Sequence, residues 1–270
     1  MSASNFAANQ QFFLSPAMRT LGPMCGRYAL AALQDEIITS FDVNGVSDQA
    51  KAASIPFDWN IAPTKEIYLV KGKVGERSLD VASWGLIAPW SKNAEDALRS
   101  QSMAINARVE TVDEKPTFRD SFKTRRCLVP ASGYYEWATE LGEYPRKQPI
   151  FVSSDEDELL AFTGIYSYWK NPQSTADETG LQQSVAIITR DAVGDLAKVH
   201  NRMPLFLPKD RWELWLDPDT SVHELKSIIN VPQPDAHLKF WPISSKVNAV
   251  RNNGRELTLP IEMGDSETLF

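Results

Sequence analysis

Short runs in which apolar and polar positions alternate dominate this chain, and they predict many short strands. Residues 66–70, 79–86, 126–129, 134–137, 150–152, 160–166 and 184–189 alternate or run apolar as strands do. Residues 26–32 read as a first strand and 237–243 as a last one. Helical spacing appears at 33–41, 94–100, 191–199, 209–216 and 222–230. Residues 44–56 and 59–64 are rich in turn formers, and 170–183, polar with Pro172 and Gly180, reads as a loop. Strands and helices mix without regular βαβ alternation, which argues for an α+β fold rather than a doubly wound sheet. No linker divides the chain and no internal repeat is present, so one domain is expected.

Composition narrows the functional classes. The 270 residues are enough for a substantial core. No apolar run approaches the roughly 20 residues that span a bilayer, so no membrane partner is expected. The net charge of −7 disfavours indiscriminate nucleic-acid binding, which feeds on positive charge. Residues 1–24 carry Arg19 alone and do not resemble a signal peptide, so their removal leaves −8. Any nucleic-acid site must then be a local basic groove on an acidic body. Two cysteines, Cys25 and Cys127, without a secretory context read as free thiols of a cytoplasmic protein. Three separated histidines and two distant cysteines give no zinc spacing, and no phosphate-binding glycine motif is present. Neither a metal nor a cofactor is expected.

The chemistry concentrates at Met24-Cys25-Gly26-Arg27-Tyr28. A cysteine that begins a chain carries a free α-amine beside its thiol, and an internal cysteine does not. The amine has a pKa of about 7.7–8.0, so a usable fraction is neutral and nucleophilic at neutral pH. An aldehyde meeting this pair forms a Schiff base, which the thiol closes to a five-membered thiazolidine. Residues 1–24 therefore read either as an upstream start wrongly assigned before Met24 or as a removable pro-segment. Residues 25–260 would then be the working domain and 261–270 a tail.

Three further segments place reactive residues among turn formers and aromatics. They are Trp84-Gly85-Leu86-Ile87-Ala88-Pro89 with Asn106-Ala107-Arg108-Val109-Glu110, then Cys127-Leu128-Val129-Pro130 leading to Gly133-Tyr134-Tyr135-Glu136-Trp137, then His200-Asn201-Arg202-Met203-Pro204. With Asn60-Ile61-Ala62-Pro63-Thr64 they occur in one order, and in that order the chain resembles the SRAP (SOS response-associated peptidase) family from Cys25 to about Leu259. The resemblance implies a single domain in which mixed short strands form a central barrel-like sheet with flanking helices. It also implies binding to single-stranded DNA at abasic sites and a covalent thiazolidine crosslink through the N-terminal cysteine. The family name adds autoproteolytic release of the segment before Cys25. A monomer, associated with the nucleoid when on DNA, is expected.

Roles follow from chemistry. Cys25 supplies amine and thiol. Glu136 is a carboxylate able to take the amine proton and pass protons through the Schiff-base steps. His200, with an ordinary pKa near neutrality, suits protonation of the deoxyribose ring oxygen that opens the hemiacetal. Asn106 offers an amide for the sugar or for the attacking residue. Arg27 and Arg108 match phosphate geometry, Trp84 and Pro63 offer apolar faces to flanking bases, and Asn60 is expected beside them on the DNA side.

Read singly, each has a plainer alternative. Glu136 fits the outward position of an alternating strand, His200 a helix C-terminal cap, Asn106 a turn, the two arginines surface ion pairs, and Trp84 the core. Cys127, in an apolar strand, is expected to be buried, and His223 and His237 to be structural. Two rival functions stay open: a thiol peptidase using Cys25 and His200, and a non-covalent single-strand binding module.

Overall fold

The described residues of the computed structural model are 26–53, 55–139, 142–172 and 181–262. Cys25, the 1–24 extension and residues 263–270 of the tail lie outside them. The chain opens with β1 (Arg27–Leu30), α1 (Gln34–Ser40), β2 (Gly45–Val46), α2 (Asp48–Ala52) and β3 (Asp58–Ile61). A hairpin of β4 (Glu66–Lys73) and β5 (Glu76–Trp84) leads through α3 (Ala94–Met103) to β6 (Asn106–Arg108) and α4 (Pro116–Thr124). Then come β7 (Arg126–Ala131), β8 (Gly133–Trp137), β9 (Pro149–Ser154), β10 (Leu160–Lys170) and β11 (Leu181–Asp191). The last elements are β12 (Arg202–Pro204), α5 (Trp212–Leu216), α6 (Val222–Ile228) and β13 (Leu238–Pro242).

Five of these strands close on themselves. β11 pairs with β10, β10 with β7, β7 with β4 and β4 with β5, all antiparallel. The ring is completed by a parallel contact of β5 with β11, Ser83 opposite Ser184 and Trp84 opposite Val185. Closure removes the exposed edges an open sheet would present. It also explains why all six residues of β7 are buried: one face lines the barrel and the other is covered by α4 and α5. At Gly85 the chain leaves β5 with a φ of +112°, and a Cβ there would lie 2.4 Å from the Gln101 carbonyl of α3. Only glycine fits both demands.

A second sheet, in the order β13-β9-β8-β1-β3, packs beside the barrel. The chain passes from β7 into it by one bend at Ser132, whose N–H donates to the Ala29 carbonyl and whose Oγ accepts from the Ala31 N–H. Tyr28 and Tyr134 point from this sheet into the main core, where Tyr28 meets Trp84 and Phe162 edge-on. Ala29, Tyr135 and Phe151 face the other way and are covered by Val247 and Ile243.

Arg126 ties the helices to the barrel. Its buried guanidinium donates to the carbonyls of Phe122 and Lys123 at the end of α4, and to those of Trp215 and Asp217 at the end of α5. These are groups that a helix C-terminus leaves without partners. Burial pushes its pKa down to about 10, with Asp217 opposing.

The α+β class, the single domain and the barrel-like sheet agree with expectation, but several elements do not. The turn-rich 59–64 segment overlaps β3, because Asp58–Ile61 pairs with the edge of β1. α4, for which the pattern reading has no element, begins with Pro116 at its first turn and buries Phe118 and Phe122, an i, i+4 pair. The expected helix at 191–199 shrinks to a single 3₁₀ turn, Gly194–Lys198, since β11 runs on to Asp191. Strands β10 and β11 take only the ends of the expected 170–183 loop, Lys170 and residues 181–183, and 173–180 lies outside the described residues.

Candidate active site

The meeting point of the two sheets gathers the reactive side chains. Glu136, on β8, is buried, and its Oε2 lies 3.9 Å from Nδ1 of His200. His200 follows the 3₁₀ turn and anchors to it by donating its N–H to the Leu196 carbonyl at 3.1 Å. Its Nδ1 accepts the backbone N–H of Arg202 at 3.1 Å. The same Nδ1 lies 3.4 Å from the Arg202 carbonyl, so the Arg202 backbone offers this nitrogen a donor when the ring is neutral and an acceptor when Nδ1 is protonated; the shorter contact favours the neutral ring with its proton on Nε2. Burial lowers the His200 pKa from its ordinary value, and the positive charge of Arg202 works in the same direction, against a hydrogen bond to the Arg202 backbone.

The strand β1 runs antiparallel to β8 with Arg27 opposite Tyr135, Tyr28 opposite Tyr134 and Ala29 opposite Gly133. Continuing that register brings Gly26 level with Glu136. Cys25 itself, one peptide bond earlier, lies outside the described residues.

β11 holds the other half of the site. Beyond the barrel it is flanked on one side by β6, with Ile187 opposite Asn106 and Thr189 opposite Arg108. On the other side lies β12, with Thr189 opposite Pro204 and Asp191 opposite Arg202. Asn106 is half-buried and Arg108 exposed. The strand register thus brings Asn106, Arg108 and the His200 loop to one end of β11, from segments about a hundred residues apart.

Two expected DNA contacts need correction, and a third is partly committed within the protein. Trp84 is wholly buried and donates its Nε1–H to the Ile105 carbonyl, so its ring belongs to the core and offers no face to a base. Asn60 is also wholly buried: its Oδ1 accepts from Arg27, and its Nδ2 reaches the carbonyls of Val247, Ala249 and Asn252. It anchors the C-terminal segment rather than facing solvent. Arg27 is half-buried and already donates to Asn60 at 2.7 Å and to the Val247 carbonyl at 2.9 Å, its plane 5.9 Å from the Trp137 ring centre. Only its remaining N–H groups are left for a phosphate. Pro63 is half-buried in its turn. Cys127 is buried as expected, and burial pushes its thiol pKa far up, which makes it inert.

Sequence reasoning passes over Trp137, Glu110 and Arg202. Trp137 backs Arg27 and donates its Nε1–H to Asn248 Oδ1 at 2.7 Å. Arg202, almost fully buried, forks onto both oxygens of Glu110. All three lie inside the quoted motifs, and two opposite charges in separate motifs were the available signal.

A cleft of about 830 Å³ opens elsewhere, between α1, β9 and β13, lined by Trp59, Phe151, Trp241 and Lys239 among others. None of Glu136, His200, Asn106 or Arg108 lines it, so chemistry rather than concavity locates the site. Among the described residues, one group of three potential metal ligands lies close together, the exposed Asp155, Glu156 and His237. Among the described residues, no helix is long and apolar enough to cross a membrane.

Known proteins bear on the same residues. Residues 24–250 match the SOS response associated peptidase (SRAP) family. The chain is 32% identical over 235 residues to the abasic site processing protein YoaM of Bacillus subtilis, covering 87% of this chain and 97% of that one. It is 33% identical over 210 residues to the abasic site processing protein HMCES of Gallus gallus, covering 70% of this chain and 59% of that one. A crystal structure of a protein from Bacteroides thetaiotaomicron shares the fold, with a TM-score of 0.74 at 22% identity over 88% of this chain and all of that one. With the family match spanning barrel, second sheet and all the clustered motifs, this chain belongs to the SRAP family.

Proposed function

We propose that this protein captures abasic sites in single-stranded DNA by a covalent crosslink through Cys25. The observation that carries the reading is the buried Glu136–His200 pair, whose carboxylate sits on β8, the strand that β1 pairs with. A relative named for abasic site processing, matched over 97% of its length, supports it.

The chemistry begins by exposing Cys25, either by removal of Met24 or by hydrolysis of the Met24–Cys25 bond, which consumes one water. The imidazolium form of His200 gives a proton to the ring oxygen as the C1 hydroxyl of the abasic deoxyribose loses its own proton to water, so that the ring opens to the aldehyde with no net change in protons. The neutral α-amine of Cys25 adds to the carbonyl carbon, and Glu136 takes the proton that the nitrogen sheds. Protonation of the resulting hydroxyl lets it leave as water, giving the imine. The thiol sulfur then adds to the imine carbon, its proton passing to nitrogen, and the thiazolidine ring is closed. Aldehyde and aminothiol thus combine with loss of one water, without oxidant or reductant. Asn106 holds the sugar or the attacking residue, and Arg108 and the free N–H groups of Arg27 hold flanking phosphates.

The test is direct. The chain expressed from Met24 is incubated with a single-stranded oligonucleotide bearing one abasic site, then run on a denaturing gel. A heat-stable shifted band, absent for Cys25→Ala, is expected. No band, with intact mass proving an exposed Cys25, would sink the proposal. A variant extended by one uncleavable residue before Cys25 must also fail, since a thiol peptidase has no need of the free amine.

A further inference from the structure

Arg202 does more than carry a motif. Its strand, β12, lies on one side of β11, and the Asn106–Arg108 strand lies on the other. The guanidinium crosses β11 between them. Nη1 donates to Glu110 Oε1 at 2.7 Å and to Asp191 Oδ1 at 2.5 Å. Nη2 donates to Glu110 Oε2 at 3.0 Å and, on the way, to the Thr189 carbonyl at 2.7 Å. Glu110 therefore grips Arg202 with both oxygens, the geometry that fixes a guanidinium most rigidly. Glu110 stands two residues after Arg108; partial desolvation raises its pKa, but the Arg202 fork, with Arg108 adding to the effect, holds it below its ordinary value. The backbone of the same Arg202 meets Nδ1 of His200 with its N–H at 3.1 Å and its carbonyl at 3.4 Å, so the placement of Arg202 bears directly on which tautomer the ring adopts.

We propose that Glu110 is a positioning residue for this site: by clamping Arg202 across β11 it sets the tautomer and orientation of His200 and ties it to the Asn106–Arg108 strand. Glu110 touches neither His200 nor the reacting atoms. It acts through Arg202, in the manner of the outer partners that orient catalytic imidazoles. The charged groups around His200 are Glu136 on β8 and Arg202 on β12, with Glu110 and Asp191 beyond the guanidinium. Removing the Glu110 charge leaves more of Arg202's charge acting on the ring, so electrostatics and geometry change together.

The rate arm of the test rests on the crosslinking reading, and the spectroscopic arm does not. With three histidines in the chain, the imidazole nitrogens of ¹⁵N-labelled protein can be assigned one by one. Wild type should give the signature of a neutral ring protonated on Nε2 for His200. In Glu110→Gln, which keeps one leg of the fork, that signature should shift toward a mixture of tautomers. At saturating abasic DNA the crosslinking rate constant should fall about five- to twenty-fold, while half-saturation moves less than threefold. Asp191→Asn serves as a second, milder variant, and a thermal melt checks that each is folded. An unchanged His200 signature in folded Glu110→Gln overturns the proposal, as does a shifted signature with an unchanged rate. If wild type forms no crosslink at all, the proposed function fails instead, and the nitrogen spectra still decide whether the clamp sets the tautomer.

Discussion

Asn60 gives its side-chain amide to three carbonyls at once and its oxygen to Arg27. Asn60→Ala should therefore strand buried acceptors and an arginine donor, costing about 2–4 kcal/mol in urea unfolding. Arg108→Ala should change stability by less than about 0.5 kcal/mol, because the side chain is exposed. It should weaken capture of DNA but spare reaction with a small aldehyde; equal DNA affinity for wild type and variant would remove Arg108 from the interface. His200 carries a pH signature. Its folded pKa lies below the ordinary 6.5, so the unfolded chain binds the proton more readily. The associated stability is fully present above pH 6.5 and is lost as pH falls through the depressed folded value. Unfolding curves should thus show wild type losing stability relative to His200→Gln as the pH is lowered from 6.5, and parallel curves would contradict the burial argument.

At the scale of elements, single side chains hold the strands and helices in place. Arg126 satisfies four carbonyls at the ends of α4 and α5. Arg126→Met preserves much of the volume but leaves those carbonyls without a donor, and should cost about 3–5 kcal/mol in denaturant unfolding. Gly85→Ala should cost at least about 2 kcal/mol, from the left-handed backbone and the approach of α3. A loss below about 0.5 kcal/mol in either variant would show that the local structure yields. The short strands β6 and β12 are elements of another kind. Three residues each, they have no pattern of their own and exist because β11 offers both edges beyond the barrel.

The whole molecule is acidic, with a net charge of −7, and its proposed partner is a polyanion. Binding must therefore rest on few phosphate contacts. If Arg108 and part of Arg27 supply most of them, the salt dependence should be shallow, with a log–log slope of about −1 to −2 for single-stranded DNA. Titrating a non-abasic oligonucleotide across salt concentrations measures it, and a slope steeper than about −4 would require a basic groove beyond these residues. The proposed covalent step would then matter more than equilibrium affinity, since the thiazolidine would hold DNA that few phosphate contacts retain.

The sequence by itself determined the α+β class, the barrel strands and the identity of Glu136, His200 and Asn106 as candidates, because alternation and local motif chemistry are written in neighbouring residues. It also predicted that Cys127 is buried, since an apolar strand leaves a thiol little choice. The fates of Trp84 and Asn60 were decided by tertiary structure alone. A tryptophan beside Gly85 and an asparagine before a turn read equally as surface or core until the barrel closes around one and the C-terminal segment folds onto the other. The same holds for α4, whose short amphipathic stretch is stabilised by packing more than by propensity. Arg202 and Glu110, 92 residues apart, become a clamp only because both edges of β11 are occupied. Long-range pairing of this kind has no local signal, and it is where the working geometry of the site is set.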